Sequence, residues 1–510
     1  MTRLLPLVSR AGRVLLQSNP PRSCWLNLIA VDRRSYVTKN KYTPSKPPAP
    51  VIYNRGEGRE TIENYTEDGY YPVHLGNRFH NDRYEVVDKL AFSKHFTSWL
   101  AADHTDQTYV ALNISTALAG TRGIEYFSFM NDPANDPTDD PVGFQRGDKT
   151  KRTFIPSLLD NFEIQGDLGT HQCWVTEPAG QSLYKLRKMS RKLFNLDVAR
   201  VIIVQLMQAV AAIHARGAVH GGLHLANVKF HIQDQKQISH RKPSDYHKDF
   251  DESRLVLIRR NNNFQETPPP GIPEYTVNPI RLGRGFCDSI TLAESQIFLD
   301  NTDYTFSSTS PGIRKQGRVR VFLPPLYAPE FHFPRMDIKT RQRYTAPFDI
   351  WNLAILMFQV MGSQPLFHFN NFYGRTTMYW RDEMVKEYVE ALGIDTMPED
   401  WWEDWPVRDQ WFYYDGKLRR QHFQLPQNTL EARMQHAIQE PRRMKRVKTL
   451  NMNELTAFTN LLRDMLSIDP EGRMPVEEAL RSEWVVRFAM PVLKRAERVW
   501  EKGGDDWEWF

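Results

Sequence analysis

Cysteine is scarce: Cys24, Cys173 and Cys287 are the only three in 510 residues. Few, odd in number and widely spaced, they argue against a disulfide framework and against a thiolate zinc site. Long apolar runs are missing as well. The best candidate, Val201 to Ile213, is broken by Gln205 and Gln208, so a transmembrane span is rejected. Charge of one sign is not in large excess either. The net charge of +5 reads as an ordinary solvated surface and asks for no nucleic acid.

Acidic residues are absent from the first 31 positions, which carry Arg3, Arg10, Arg13 and Arg22. On a helical projection Leu4, Leu7, Val8, Ala11 and Leu15 share one side, and Arg3, Arg10 and Arg13 share the other. An Arg-rich, acid-free amphipathic start predicts a mitochondrial transit peptide over residues 1–36 and delivery to the matrix. Arg33-Arg34-Ser35-Tyr36 is similar to a matrix-peptidase site. The arginines interrupt any secretory h-region.

Apolar material is plentiful, at 41% hydrophobic and 12% aromatic, and the length suits two lobes plus extensions. Residues 37–83 begin rich in Lys, Pro, Glu and Tyr and read as an arm or linker. Alternating β-formers predict strands at Tyr84–Val87, Phe96–Leu100, Tyr109–Ile114, Ser157–Phe162 and Gln172–Glu177. Residues 131–152 form a polar loop dense in Asp and Pro. Asn195–Arg216 carries an apolar stripe at helical spacing, and 346–362 and 453–466 are further helical patterns. Residues 233–278 read as a polar surface insert. Strands come first and helices follow, which predicts an α+β fold of two lobes, with divisions at 84–180 and 181–495 and an aromatic, acidic tail at 496–510.

Several stretches, in order, carry a resemblance. They are Lys89-Leu90-Ala91-Phe92-Ser93-Lys94-His95-Phe96 with Tyr109-Val110-Ala111-Leu112-Asn113; Val219-His220-Gly221-Gly222-Leu223-His224-Leu225-Ala226-Asn227-Val228; Tyr327-Ala328-Pro329-Glu330; Asp349-Ile350-Trp351; and Asp469-Pro470-Glu471-Gly472-Arg473. Together they resemble a protein-kinase domain over about residues 65–490. Tyr70-Tyr71-Pro72-Val73, Leu159-Asp160-Asn161-Phe162 and Gly169-Thr170-His171-Gln172-Cys173 are similar to the SR-protein kinase-like group, in its fungal branch. The resemblance implies a small β-rich N-lobe, a larger helical C-lobe, ATP and Mg2+ as cofactors, and a protein substrate or partner.

Phosphoryl transfer needs positioning and charge neutralisation above all. The leading glycine positions of the phosphate loop are Ala91 and Ser93, whose side chains crowd close backbone approach. The phosphate-pairing lysine position holds Asn113, which is short and uncharged. Glu125 stands for the helix glutamate, and Glu177 completes the nucleotide-cleft set. The base position is Gly222, which offers no side chain. His224 is a substitute base only if it leaves its usual phosphate-facing role, and His220 keeps a structural place. Asn227 and Asp300 stand at the metal-ligand positions. They read either as hard-oxygen ligands of a divalent ion or as fold-supporting hydrogen bonders. Asp300 is followed by Asn301-Thr302 where Phe-Gly is usual, and Arg281-Leu282-Gly283 is a poorer match. Glu330 is expected to pair with Arg473, and Asp349 to hold the catalytic loop.

The sequence therefore predicts a catalytically impaired pseudokinase, a binding or scaffolding module in mitochondria that retains the kinase fold, with or without residual weak binding of ATP and Mg2+. The alternative is an active serine/threonine kinase that uses His224 or a substrate-held base, with Asn227 and Asp300 binding Mg-ATP. A small-molecule kinase of the aminoglycoside-phosphotransferase type is disfavoured by Ala328-Pro329-Glu330 and Asp349-Ile350-Trp351. Trp500, Trp507, Trp509 and Phe510 dock on a partner or fold back on the C-lobe.

Overall fold

In the computed structural model the described residues are 59–132, 154–190, 192–232, 254–258, 271–280, 287–300, 306–307, 328–333, 345–368, 377–415, 417, 419 and 428–501. The transit-peptide segment, residues 37–58, Arg281-Leu282-Gly283, Asn301-Thr302, Tyr327 and Trp507–Phe510 lie outside them.

Six antiparallel strands make the first lobe: β1 (Arg78–Phe79), β2 (Tyr84–Phe92), β3 (Phe96–Asp103), β4 (Thr108–Ser115), β5 (Leu158–Gly166) and β6 (Gly169–Thr176). Their order is β1-β2-β3-β4-β6-β5. The period of two sorts their side chains. Trp99 and Ala101, Val110, Leu112 and Ile114, and Cys173 and Val175 enter one core. The same alternation turns Ser98, Asn113 and Trp174 to the opposite face. Register sets these three side by side, with Ser98 opposite Asn113 and Asn113 opposite Trp174. Helix α1 (Arg122–Asn131) rests against this second face at Gly123, where a Cβ would lie 2.8 Å from the Trp174 ring. Any side chain at 123 would push the helix off the sheet.

A three-stranded sheet of β7 (Ala179–Ser182), β9 (Val228–His231) and β12 (Ile297–Leu299), with β9 central, underlies the junction with the helical lobe. Helix α2 (Leu183–Ser190) follows β7. A short pair, β8 (Ala218–Val219) and β13 (Phe306–Ser307), flanks this sheet. The helical lobe is built around α3 (Leu196–Ala215), which packs on α4 (Ala346–Met361) and α6 (Met490–Glu501), with α5 (Met452–Met465) beside α4. By length and composition α3 could cross a membrane, with mean hydropathy 1.8, but 89% of that stretch is buried inside the fold. A helix apolar on nearly all sides is what a central core position requires. The Arg200 guanidinium in its first turns is neutralised by buried Glu454 at 2.8 and 2.5 Å. Trp500 folds back, is buried, and donates its indole N–H to the Leu292 carbonyl at 2.8 Å.

Two segments differ from their reading as surface. Within the polar insert, β10 (Leu255–Leu257) and β11 (Tyr275–Val277) form an antiparallel ribbon fastened to β2. Arg254 forms a bidentate ion pair with Asp88, Ile280 N–H donates to the Lys89 carbonyl at 2.7 Å, and Val277 enters the sheet core. The run Leu255-Val256-Leu257-Ile258 carries the apolar signal that the surrounding polar residues hide. The arm from Arg59 onward is packed too. Ile62, Tyr65 and Tyr70 cluster with Ile258, and the Lys89 ammonium, fully buried on β2, pairs with buried Glu60.

Candidate functional site

The turn between β2 and β3 is where a kinase would present backbone N–H groups to phosphate. Here those donors are already used. The Ser93 N–H donates to the Phe96 carbonyl at 2.8 Å, and the Ser93 hydroxyl accepts the N–H groups of His95 and Phe96 at 3.0 and 3.3 Å. The arm locks the turn from outside, because the Tyr70 hydroxyl donates to the Ser93 carbonyl at 2.7 Å. Ala91 lies in register with Ser98 on β3, so its methyl is part of the sheet.

Asn113 does not reach into the cleft. Its amide is buried and donates to the Ala111 and Trp174 carbonyls, both at 3.3 Å. Beside it Trp174 fills the space under α1, with the Phe96 ring edge-on at a centroid distance of 5.4 Å. Glu125 accepts from the Thr121 hydroxyl at 2.5 Å. The residues that α1 aims inward are Tyr126, Phe127 and Met130, and Tyr126 carries a polar group. Its hydroxyl is buried without a hydrogen-bond partner among the described residues. Burial first, and the nearby Asp300 carboxylate second, push this phenol far above its ordinary value. Glu177 follows β6, and burial holds its carboxyl above the ordinary range against a backbone N–H from Ser157.

The catalytic-loop segment is held by Asp349 of α4. Its carboxylate accepts the backbone N–H of His220 at 2.6 Å and of Gly221 at 2.9 Å, and it meets the His214 ring at 3.0 Å. Gly221 takes φ +73°, a conformation glycine adopts without strain. Gly222 is then only backbone. Its N–H donates to His220 Nδ1 at 3.2 Å, and its carbonyl accepts the Asn227 amide at 2.8 Å. The His224 Nδ1 accepts the Ala226 N–H at 3.3 Å, and burial depresses its pKa to about 4.

Asp300, at the end of β12, donates its N–H to the Asn227 carbonyl at 2.8 Å, so the two metal-ligand positions are adjacent. The Asp300 carboxylate is not open, because the Lys229 ammonium from β9 forms an ion pair with it. Among the described residues, no cluster of three His, Cys, Asp or Glu side chains is placed to hold a metal ion. Far from this cleft, Arg473 forms a bidentate pair with Glu330 at 3.0 and 2.7 Å. Lys229 and Trp174 escape a motif reading. The available signal for Lys229 is a charged residue inside the short apolar strand Val228–Phe230, two positions after Asn227.

The buried histidines set an acid limit. Burial lowers the His220 pKa to about 4 and the His332 pKa to about 3. Both are neutral in folded and unfolded chains above about 6.5, so stability does not depend on them there. Below that value the unfolded chain takes up protons that the folded one refuses. Stability therefore falls as pH drops from about 6.5 toward 4, by about 1.4 kcal/mol per pH unit for each histidine. In urea titrations between pH 7.5 and 5, His332→Gln is expected to show a shallower acid slope than wild type by that amount. An unchanged slope would remove His332 from the account.

No protein-family model matches the chain. It is similar to protein kinase dsk1 of Schizosaccharomyces pombe, 31% identical over 185 residues, covering 36% of this chain and 32% of that protein. It is similar to SRSF protein kinase 3 of Mus musculus, 28% over 185 residues, 35% and 31% of the two chains. A third similarity is to the serine/threonine-protein kinase SKY1 of Saccharomyces cerevisiae, 29% over 186 residues, 35% and 24%. The chain spans about a third or less of the length of these relatives. A solved kinase-domain crystal structure aligns with TM-score 0.48 and 14% identity, over 82% of this chain and 98% of that one.

Proposed function

We propose that this chain, which belongs to the protein kinase superfamily and its SR-protein kinase-like group, is a catalytically impaired pseudokinase. It serves as a binding or scaffolding module for a protein partner in mitochondria. The observation that carries the reading is Gly222. Where a carboxylate would orient the acceptor hydroxyl, the chain offers a backbone N–H and carbonyl, both engaged by His220 and Asn227. The phosphate side agrees, with Asn113 bound to main-chain carbonyls and the Ser93–Phe96 turn hydrogen-bonded to itself.

An active kinase using His224 is less well supported. A general base works best with a pKa near the operating pH. An imidazole depressed to about 4, with Nδ1 already accepting a hydrogen bond, is a weak base. The Arg-rich, acid-free start supports the mitochondrial location. Import into isolated mitochondria with loss of N-terminal residues tests it, and a chain left outside and protease-sensitive would count against it.

The test of the cleft is a thermal shift with ATP, with and without Mg2+. No shift is expected in either condition, because Asn113 stands where a phosphate-pairing lysine would, and the Ser93, His95 and Phe96 N–H groups of the loop are already engaged. A Mg2+-dependent rise in melting temperature that Asp300→Ala abolishes would contradict this reading.

A further inference from the structure

A kinase-type cleft implies a divalent cation held by the residues at positions 227 and 300, and the side chains present here do not fit one. Among the described residues no cluster of three His, Cys, Asp or Glu side chains joins Asp300 there, and its charge is already matched by the Lys229 ammonium. The Asn227 amide nitrogen donates to the Gly222 carbonyl, which leaves its Oδ1 as a neutral oxygen that adds no negative charge. A divalent ion favours several hard oxygens with net negative charge. The pair Lys229–Asp300 sums to zero, and both side chains are only about a fifth exposed, at 22% and 20%.

The position of Lys229 makes this an architectural feature. Lys229 lies on the central strand β9, in register with Phe298 of β12 and with Ser182 of β7. Its backbone is therefore fixed from both sides, and Asp300 comes immediately after β12. An incoming dication would have to evict the ammonium and then sit beside it. We propose that Lys229 is a built-in cation that takes the place of the divalent ion, so that this cleft is metal-independent. The proposal rests on the pseudokinase reading in treating positions 227 and 300 as the former metal site.

The test is Mn2+ binding to the full chain without nucleotide, read from the electron paramagnetic resonance signal of free Mn2+. Wild type is expected to leave the ion free. Lys229→Met, and Lys229→Gln as the variant that keeps a polar group, release Asp300. Each is expected to gain Mn2+ affinity of roughly tenfold or more, the scale on which groups around a metal ligand act. Adding Asp300→Asn removes the gain. Saturable Mn2+ binding by wild type that Asp300→Asn abolishes would overturn the proposal, and this arm stands even if neither lysine variant folds. Folded lysine variants that gain nothing would overturn it too. Metal capture without phosphate transfer defeats this proposal and spares the pseudokinase reading. Transfer by a chain that captures no Mn2+ defeats the reading and spares the proposal.

Discussion

Arg473→Ala lowers the stability of the folded chain by about 3–5 kcal/mol, the cost of breaking a buried ion pair from one side. The effect is large because every guanidinium donor is used. Nη1 and Nη2 grip Glu330, Nη1 also reaches the Pro347 carbonyl at 2.9 Å, Nη2 the Ile468 carbonyl at 3.2 Å, and Nε the Ser467 carbonyl at 2.9 Å. The group also stands 5.0 Å from the Trp351 ring centroid. Truncation leaves a buried carboxylate uncompensated and three carbonyls without their donor. Arg473→Lys recovers only part of this, since an ammonium cannot match a planar fork. Denaturant unfolding of the two variants measures the loss. A wild-type midpoint for Arg473→Ala would show that the 330–473 contact does not hold the lobe.

Gly222→Asp restores no phosphate transfer. In a competent site a positioned base contributes about 10²–10⁴-fold. That factor needs a nucleotide whose phosphates are already gripped, and under the proposed function this grip is missing. Adding Asn113→Lys does not supply it, because the new side chain would emerge beside Trp174 and Phe96. The His95 and Phe96 N–H groups also stay bound to the Ser93 hydroxyl. Labelled γ-phosphate transfer to serine and threonine peptides, with an active SR-protein kinase as positive control, is expected to stay at background for both variants. A gain of roughly 100-fold from Gly222→Asp alone, a base-sized increment, would mean the phosphate side is intact.

The fold was largely legible in the sequence. Period-two runs located β2 to β6, and the 3.6-residue stripe located α3, because local patterning and burial agree in those segments. The order of motifs brought Asp349 to His220 and Gly221, and Glu330 to Arg473, which need only a position and a charge to be recognised. The substituted positions 91, 93, 113 and 222 were equally visible. What surrounds them was not, since it arises from register and packing. That Ser98, Asn113 and Trp174 stand in one row follows from strand pairing. That Trp174 fills the space under α1 follows from Gly123. That Asp300 is neutralised depends on a lysine whose strand had to be placed first. Glu125 illustrates the opposite case, because the family resemblance named it for the cleft, whereas its carboxylate accepts from Thr121 and the buried Tyr126 next to it is the one that feels Asp300. The insert escaped because its apolar strand pair is short and lies among polar residues.

Gly222 remains the central observation, and γ-phosphate transfer by the unaltered chain tests it most directly. With ATP and Mg2+ in the same assay, the account predicts no labelled peptide and no labelled chain above the no-protein background. Transfer that accumulates with time and disappears in Asp300→Ala would contradict it.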